Sequence, residues 1–328
     1  MVTRKGEEMS QDQGFLQKVM RWSVERAGAS LDKVPESANE LTQAQKEHFF
    51  AAVDNAAGVD IPKRMGAIGQ QLLALDRSDT DSLLELLDEL LEHVEKIDHA
   101  NDLHTVGGLQ PVLQLAYSGA SSEIRSVALQ IASTVAQNNL QGQETLLKQD
   151  AHYTLLSRAN DSSEDAAVRA QALTALASLA RGHPNATSTV LREGGVDAAI
   201  GALKDGLSSE RVRRKALQLL RYYAQCSDEA LAKLVDANAV EHTVPLMSSE
   251  DTIAREQSAG LLCDIAKNTN FNEHPSAIDQ LRSDALQTAA QNRKQTLQEL
   301  TGDEAEAVQG ERANVEALMS MLQHGGQG

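Results

Sequence analysis

Four stretches decide the fold: EIRSVALQIASTVAQ (123–137), AVRAQALTALASLAR (167–181), RVRRKALQLLRYYAQ (211–225) and IAREQSAGLLCDIAK (253–267). They align without gaps on an arginine at Arg125, Arg169, Arg213 and Arg255, at intervals of 44, 44 and 42 residues. Each is rich in Leu, Ala, Ile and Val and free of proline and of period-two alternation, so each reads as a helix rather than a strand. A second landmark precedes each stretch: Gly107-Gly108-Leu109, Asp150-Ala151, Gly194-Gly195-Val196 and Asn238-Ala239-Val240. Glycine, Asp and Asn stop one helix and start the next. Each unit therefore reads as a short helix, a turn and a longer apolar helix. LQPVLQLAYS (109–118) and VDAAIGALKDG (196–206) are examples of the first. One such unit cannot bury its apolar face alone, whereas a stack of neighbours can.

A period near 44 lies in the armadillo/HEAT range. The expected fold is all-α, an armadillo-like α-solenoid (a right-handed superhelix) of about four repeats with helical caps. Three regions are expected: a flexible N-terminal segment with a short amphipathic helix over 1–45, the repeat domain with its leading cap over 46–270, and a C-terminal helical region with a disordered tail over 271–328. The leading cap contains DSLLELLDELLEHVEKID (81–98), which puts Leu83, Leu87, Leu90, Val94 and Ile97 on one helical face and acids on the other. At the N-terminus, FLQKVMRWSVERAG (15–28) carries Phe15, Val19, Met20 and Trp22, the only tryptophan. It can be a helix anchored to the solenoid or a mobile binding motif.

The chain has 328 residues, and 30 Lys+Arg against 47 Asp+Glu give a net charge of −17. That disfavours nucleic acid and anionic membranes as partners, because both demand a cationic footprint. The acidity is local: residues 76–102 hold ten acids against two bases, and 299–316 hold six against one. Residues 210–223 are the reverse, with Arg211, Arg213, Arg214, Lys215 and Arg221 against Glu210 alone. Two cysteines, Cys226 and Cys263, are too few for a disulfide framework and read as buried structural thiols. With no apolar leader and no run of about 20 apolar residues, a soluble cytoplasmic protein is expected.

No catalytic constellation stands out, and no cofactor or metal is expected. The glycine pairs recur with the repeat, which makes them turns rather than phosphate loops. In HVEKIDH (93–99) the imidazoles are six residues apart and lack a metal-binding i, i+4 spacing. An interaction protein fits better than an enzyme. Its surface follows from the repeat, because spacings of 3, 4 and 3 mark one helical face. That face holds Gln171, Thr174, Ser178 and Arg181. The preceding helix offers Val127, Gln130, Thr134 and Gln137. The following ones offer Lys215, Gln218, Tyr222 and Gln225, then Gln257, Gly260, Asp264 and Lys267. A polar stripe on Leu/Ala-rich helices marks a candidate groove. A solenoid must also solvate one face whatever it binds.

The sequence resembles the Fes-type nucleotide exchange factors, the armadillo-like partners of DnaK-type (seventy-kilodalton heat-shock) chaperones, in the variant found in plants. Four passages carry the resemblance: LQKVMRWSVERA (16–27), LLDELLEHVEKIDHANDLHTVGGLQPVL (86–113), ASTVAQNNLQGQE (132–144) and RAQALTALASLARGHP (169–184). It covers about residues 15–270. The resemblance implies a co-chaperone, expected to act as a monomer, whose concave groove embraces one lobe of the chaperone's nucleotide-binding domain so that ADP leaves. It implies contact roles for Ala100, with Asn101 beside it in DHANDL, and for Lys215. Asn138 and Asn139, in the QNN motif, can serve as helix caps or as contacts. Phe15, Val19 and Trp22 match the family's N-terminal motif. The competing reading is an armadillo scaffold for extended peptides, weakened because such grooves present ladders of Trp and Asn, while Trp22 lies outside the repeats.

Overall fold

The computed structural model describes residues 60–119, 121–205, 209–269 and 275–324. Among these there is no strand. A leading pair, α1 (Ile61–Ala74) and α2 (Thr80–Val94), is followed by units of three helices. The first unit is α3 (Ile97–Thr105), α4 (Leu109–Ser118) and α5 (Ser122–Ala136). The second is α6 (Leu140–Lys148), α7 (Ala151–Asn160) and α8 (Ala166–Ala180). The third is α9 (Pro184–Arg192), α10 (Gly195–Lys204) and α11 (Glu210–Cys226). The fourth is α12 (Asp228–Asp236), α13 (Ala239–Thr243) with a 3₁₀ turn (Val244–Ser248), and α14 (Thr252–Asn268). After it come α15 (Pro275–Leu281), α16 (Asp284–Glu299), α17 (Asp303–Ala307) and α18 (Gln309–His324).

The long helices form the spine. Each packs on the next, in the order α2, α5, α8, α11, α14 and α18. One continuous apolar core runs from Met65 to Leu318 along this ladder. The helix starts are fixed by side chains: Ser121, Asp165, Ser209 and Asp251 each accept a hydrogen bond from a backbone N–H in the first turn of α5, α8, α11 and α14. Such a cap contributes about 1 kcal/mol. The turn landmarks read from the sequence are backbone features. Gly107, Asp150, Gly194 and Asn238 are all left-handed, with φ of 81°, 55°, 100° and 55°. Glycine, Asn and Asp reach that region at least cost, which is why only they occupy it.

Three expectations need correction. The repeat has three helices, not two: α3, α6, α9 and α12 precede the turn landmark in each unit. They are nine residues each and carry only two to four buried positions. Ile97 does not extend the apolar face of α2. That helix ends at Val94, and Ile97 begins α3 with 53% of its surface exposed. Leu83, Leu87, Leu90 and Val94 are buried as expected. Cys226 and Cys263 are half-buried rather than buried. Burial still pushes both thiols above the usual range, which keeps them protonated and unreactive.

Charged side chains bind consecutive units. Arg125 in α5 donates to both oxygens of Glu164, in the loop before α8, at 2.9 and 2.7 Å. Arg169 in α8 pairs with Asp205, just before α11, at 2.6 Å. Arg214 in α11 pairs with Asp251, the cap of α14. Arg255 in α14 reaches Glu311 of α18 at 3.4 Å, and Arg293 of α16 meets the same carboxylate. The third repeat uses Arg214 for this link, one position beyond the aligned Arg213.

Candidate groove on the long helices

One face of the successive long helices frames a concavity of ≈ 610 Å³. Gln137 and Asn138 form one end, just past α5. Thr174, Ala177, Ser178 and Arg181 come from α8 and its end. Lys215, Gln218, Arg221, Tyr222 and Gln225 come from α11, and Gln257 from α14. Leu173 completes the wall. The residues stand together because three- and four-residue steps return to one face of each helix, and stacking sets those faces side by side.

Nine of the sequence-derived candidates therefore share one wall: Gln137, Asn138, Thr174, Ser178, Arg181, Lys215, Gln218, Tyr222 and Gln225. Gln130, Thr134, Gln171 and Lys267 do not contribute to it, although Gln130 and Lys267 are exposed. Arg221 and Gln257 do contribute. Gln257 belongs to the stripe read from the repeat, and Arg221, three residues after Gln218, lies on the ridge beside it. Phe15, Val19 and Trp22 lie outside the described residues.

Ala100, to which the resemblance gives a contact role, lies at a core position. It is 4% exposed and sits with Leu103 on the buried face of α3. Asn139 is likewise internal, at 4% exposure. Its side-chain oxygen accepts from Gly142 N at 3.2 Å, capping α6. Its amide nitrogen donates to Asn101 Oδ1 at 2.8 Å and to Val135 O at 3.0 Å. The two asparagines thus divide the work. Asn138 takes the left-handed turn, with φ 52°, and faces the concavity, while Asn139 caps and ties α6 to α3 and α5.

The electrostatics of the wall are simpler than the basic run in α11 implied. Arg214 faces Asp251, away from the concavity wall, and Arg221 donates to Asp264 at 2.9 Å and to Gln257 at 3.1 Å. Arg181 stands over the ring of Tyr222, 5.2 Å from its centroid. The Tyr222 hydroxyl donates to Ala180 O at 3.0 Å and meets Thr187 Oγ1 at 3.0 Å. Among the described residues no carboxylate lines the concavity. Among the described residues no group of His, Cys, Asp and Glu is placed to hold a metal ion, and no helix is long and apolar enough to cross a membrane.

Fold and groove together define a class: an armadillo-type α-solenoid with a polar concavity across successive long helices. Solved structures agree. A designed armadillo repeat protein in complex with the peptide (KR)4 superposes with a TM-score of 0.62 at 21% identity, covering 80% of this chain and all of that one. The armadillo-repeats-only protein of Plasmodium falciparum gives a TM-score of 0.52 at 14% identity, over 68% of this chain and 95% of that one. Within that class, the chain is similar to the Fes1 exchange factors: residues 16–103 match the family described as nucleotide exchange factor Fes1. The Hsp70 nucleotide exchange factor FES1 of Saccharomyces cerevisiae is 22% identical over 242 residues, which span 73% of this chain and 81% of that protein. The protein of the same name from Candida glabrata is 26% identical over 219 residues, 66% of this chain and 73% of that one.

Proposed function

We propose that this protein is a co-chaperone that acts as a nucleotide exchange factor: it binds the nucleotide-binding domain of a cytosolic DnaK-type chaperone through the groove and promotes ADP release. The observation that carries the reading is the Fes1 match over 16–103 on a chain whose relatives over most of its length are Hsp70 exchange factors. The groove is the natural docking surface, because it is the place where three successive long helices and the residues just past α5 present polar side chains together. The reading has the protein act as a monomer, without cofactor or covalent chemistry. It assigns residues 1–45 to an N-terminal arm bearing Phe15, Val19 and Trp22, 46–270 to the repeat domain, and 271–328 to a C-terminal helical region.

The mechanism is differential binding. A rigid solenoid that fits the open nucleotide-binding domain better than the ADP-closed one shifts the equilibrium towards opening, and ADP affinity falls by the same coupling factor. The rigidity has a source in the inter-unit ion pairs and the continuous core. The designed neighbour binds a basic peptide, but this groove carries cations and no lining acid, so a basic peptide is disfavoured here.

The test is release of fluorescent ADP from a DnaK-type chaperone in stopped flow, with excess unlabelled nucleotide. The full chain should accelerate release in a saturable way. An unchanged release rate at saturating protein overturns the proposal.

A further inference from the structure

Five arginines of the long helices have carboxylate partners: Arg125, Arg169, Arg214, Arg221 and Arg255. Two cations of the concavity wall do not. Arg181 and Lys215 have no carboxylate within ion-pair distance among the described residues, although both stand in a wall shared with Arg221 and five primary amides. In a chain of net charge −17 these two cations stay open on the concavity wall, whereas Arg211 and Arg213 of α11, which have no ion pair among the described residues either, do not line it. Concave walls focus the field of such charges on whatever enters.

Arg181 is also held in place. Its backbone oxygen accepts from Gln143 Nε2 at 2.7 Å, and the same amide nitrogen donates to Ser178 O at 2.8 Å. Gln143 is completely buried. Beneath the guanidinium lies the Tyr222 ring, itself fixed by the hydroxyl bonds to Ala180 O and Thr187. A guanidinium stacked on a fixed ring loses less freedom when it engages an anion, and its outer N–H groups remain free to fork onto a carboxylate.

We infer that Arg181 and Lys215 form a clamp for an aspartate or glutamate side chain on the surface of the protein partner, with Tyr222 and Gln143 as the residues that position Arg181. Charge complementarity selects this occupant: the wall offers two unpaired cations and amide donors and no acid. The inference rests on the exchange-factor reading, which supplies the partner, and adds the chemistry that the groove recognises.

The experiment measures the affinity of the full chain for the purified, ADP-bound nucleotide-binding domain of a DnaK-type chaperone, by calorimetry from about 50 to about 500 mM NaCl. Arg181→Ala and Lys215→Ala should each weaken binding about tenfold, with unchanged circular dichroism and melting temperature. The double variant should lose less than the product of the two, and its affinity should depend less steeply on salt. Tyr222→Leu should weaken binding, with the loss absent in the Arg181→Ala background, and Tyr222→Phe, which keeps the ring but frees it from Ala180 O and Thr187, should weaken it less. That coupling would not arise from a merely structural role. Wild-type binding with affinity and salt dependence unmoved in both single variants overturns the clamp and leaves the exchange function standing. A wild type that neither binds nor accelerates ADP release overturns the exchange reading, and the clamp with it. Inorganic phosphate, titrated alone, should bind only weakly. Tight phosphate binding lost in Lys215→Ala, with chaperone affinity intact, would show a free-anion site instead and overturn the protein carboxylate.

Discussion

Asn139 shows how one buried amide can define a junction. Its side chain makes one cap bond to Gly142 N, one bond to its own helix end at Val135 O, and one across units to Asn101. Removing it exposes no cavity of note but leaves three polar groups short of a partner in a site almost closed to water. Asn139→Ala should therefore cost about 2 kcal/mol, the loss of a cap plus the desolvation of an orphaned group. Urea denaturation would show it as a lower midpoint with an unchanged slope. Asn138 gives the contrast. It takes the left-handed C-terminal position of α5 and makes no side-chain cap bond, so Asn138→Gly should hold stability, whereas Asn138→Ala should cost about 1 kcal/mol of left-handed strain. If the two alanine variants melt alike and the glycine variant melts with them, the division of labour is wrong. Gly142 belongs to the same junction. A Cβ there would collide with the Val135 carbonyl, so the first turn of α6 can cross α5 only as glycine.

At the scale of elements, the ties between units are carboxylates reached by arginines of the preceding long helix. Glu164 is 4% exposed and Asp251 is 2% exposed at the side chain. Burial pushes each carboxyl up. The opposing hydrogen bonds win: from Arg125, the Asp165 N–H and Arg158 for Glu164, and from Arg214 and the first-turn N–H groups of α14 for Asp251. Both are held below their ordinary values of 4.5 and 3.8. A depressed folded value means that the unfolded chain binds more protons in this window, so the stabilisation is present above the ordinary value and is lost as pH falls through the folded one. The urea midpoint should fall as pH drops below about 4.5, and Glu164→Gln should be less stable at neutral pH with a shallower acid limb. An acid limb identical to wild type would remove Glu164 from the coupling. These ties also mark the limit of what the chain discloses in one dimension. The long helices were readable because fifteen residues of Leu and Ala at helical spacing have few other uses, and the turn landmarks because few residues tolerate a left-handed backbone. The nine-residue helices α6, α9 and α12 were not, since LQGQETLLK or PNATSTVLR buries only three or four side chains and looks like a linker. Glu164 lies in a loop 39 residues from Arg125, with no local pattern to join them.

For the whole molecule, the governing fact is that every long helix is covered only by its neighbours. Stability in such a stack is approximately a sum of unit and interface terms. Helix α18 occupies the place on α14 that α14 occupies on α11, and Glu311 of α18, 1% exposed, receives Arg255 from one side and Arg293 from the other. The C-terminal helices thus close the apolar face of the last repeat. Ending the chain after residue 272 would uncover the side of α14 that Asn314 and Glu311 now cover, and leave Arg255 without its partner. The truncated protein should lose more helical circular dichroism than the removed residues account for, and should melt several degrees lower, since the loss of about 2 kcal/mol shifts a domain of this size by a few degrees. The concavity is built no further along than Gln257, so the loss should spread inward from α14 and reach Lys215 and Arg181 last. Binding to the chaperone domain should consequently survive at low temperature and fail on warming earlier than in the full chain. A truncated protein with the full-length melting temperature would show that α18 merely follows the solenoid. One that has lost binding at low temperature while α5, α8 and α11 stay folded would place part of the partner's footprint on the C-terminal helices.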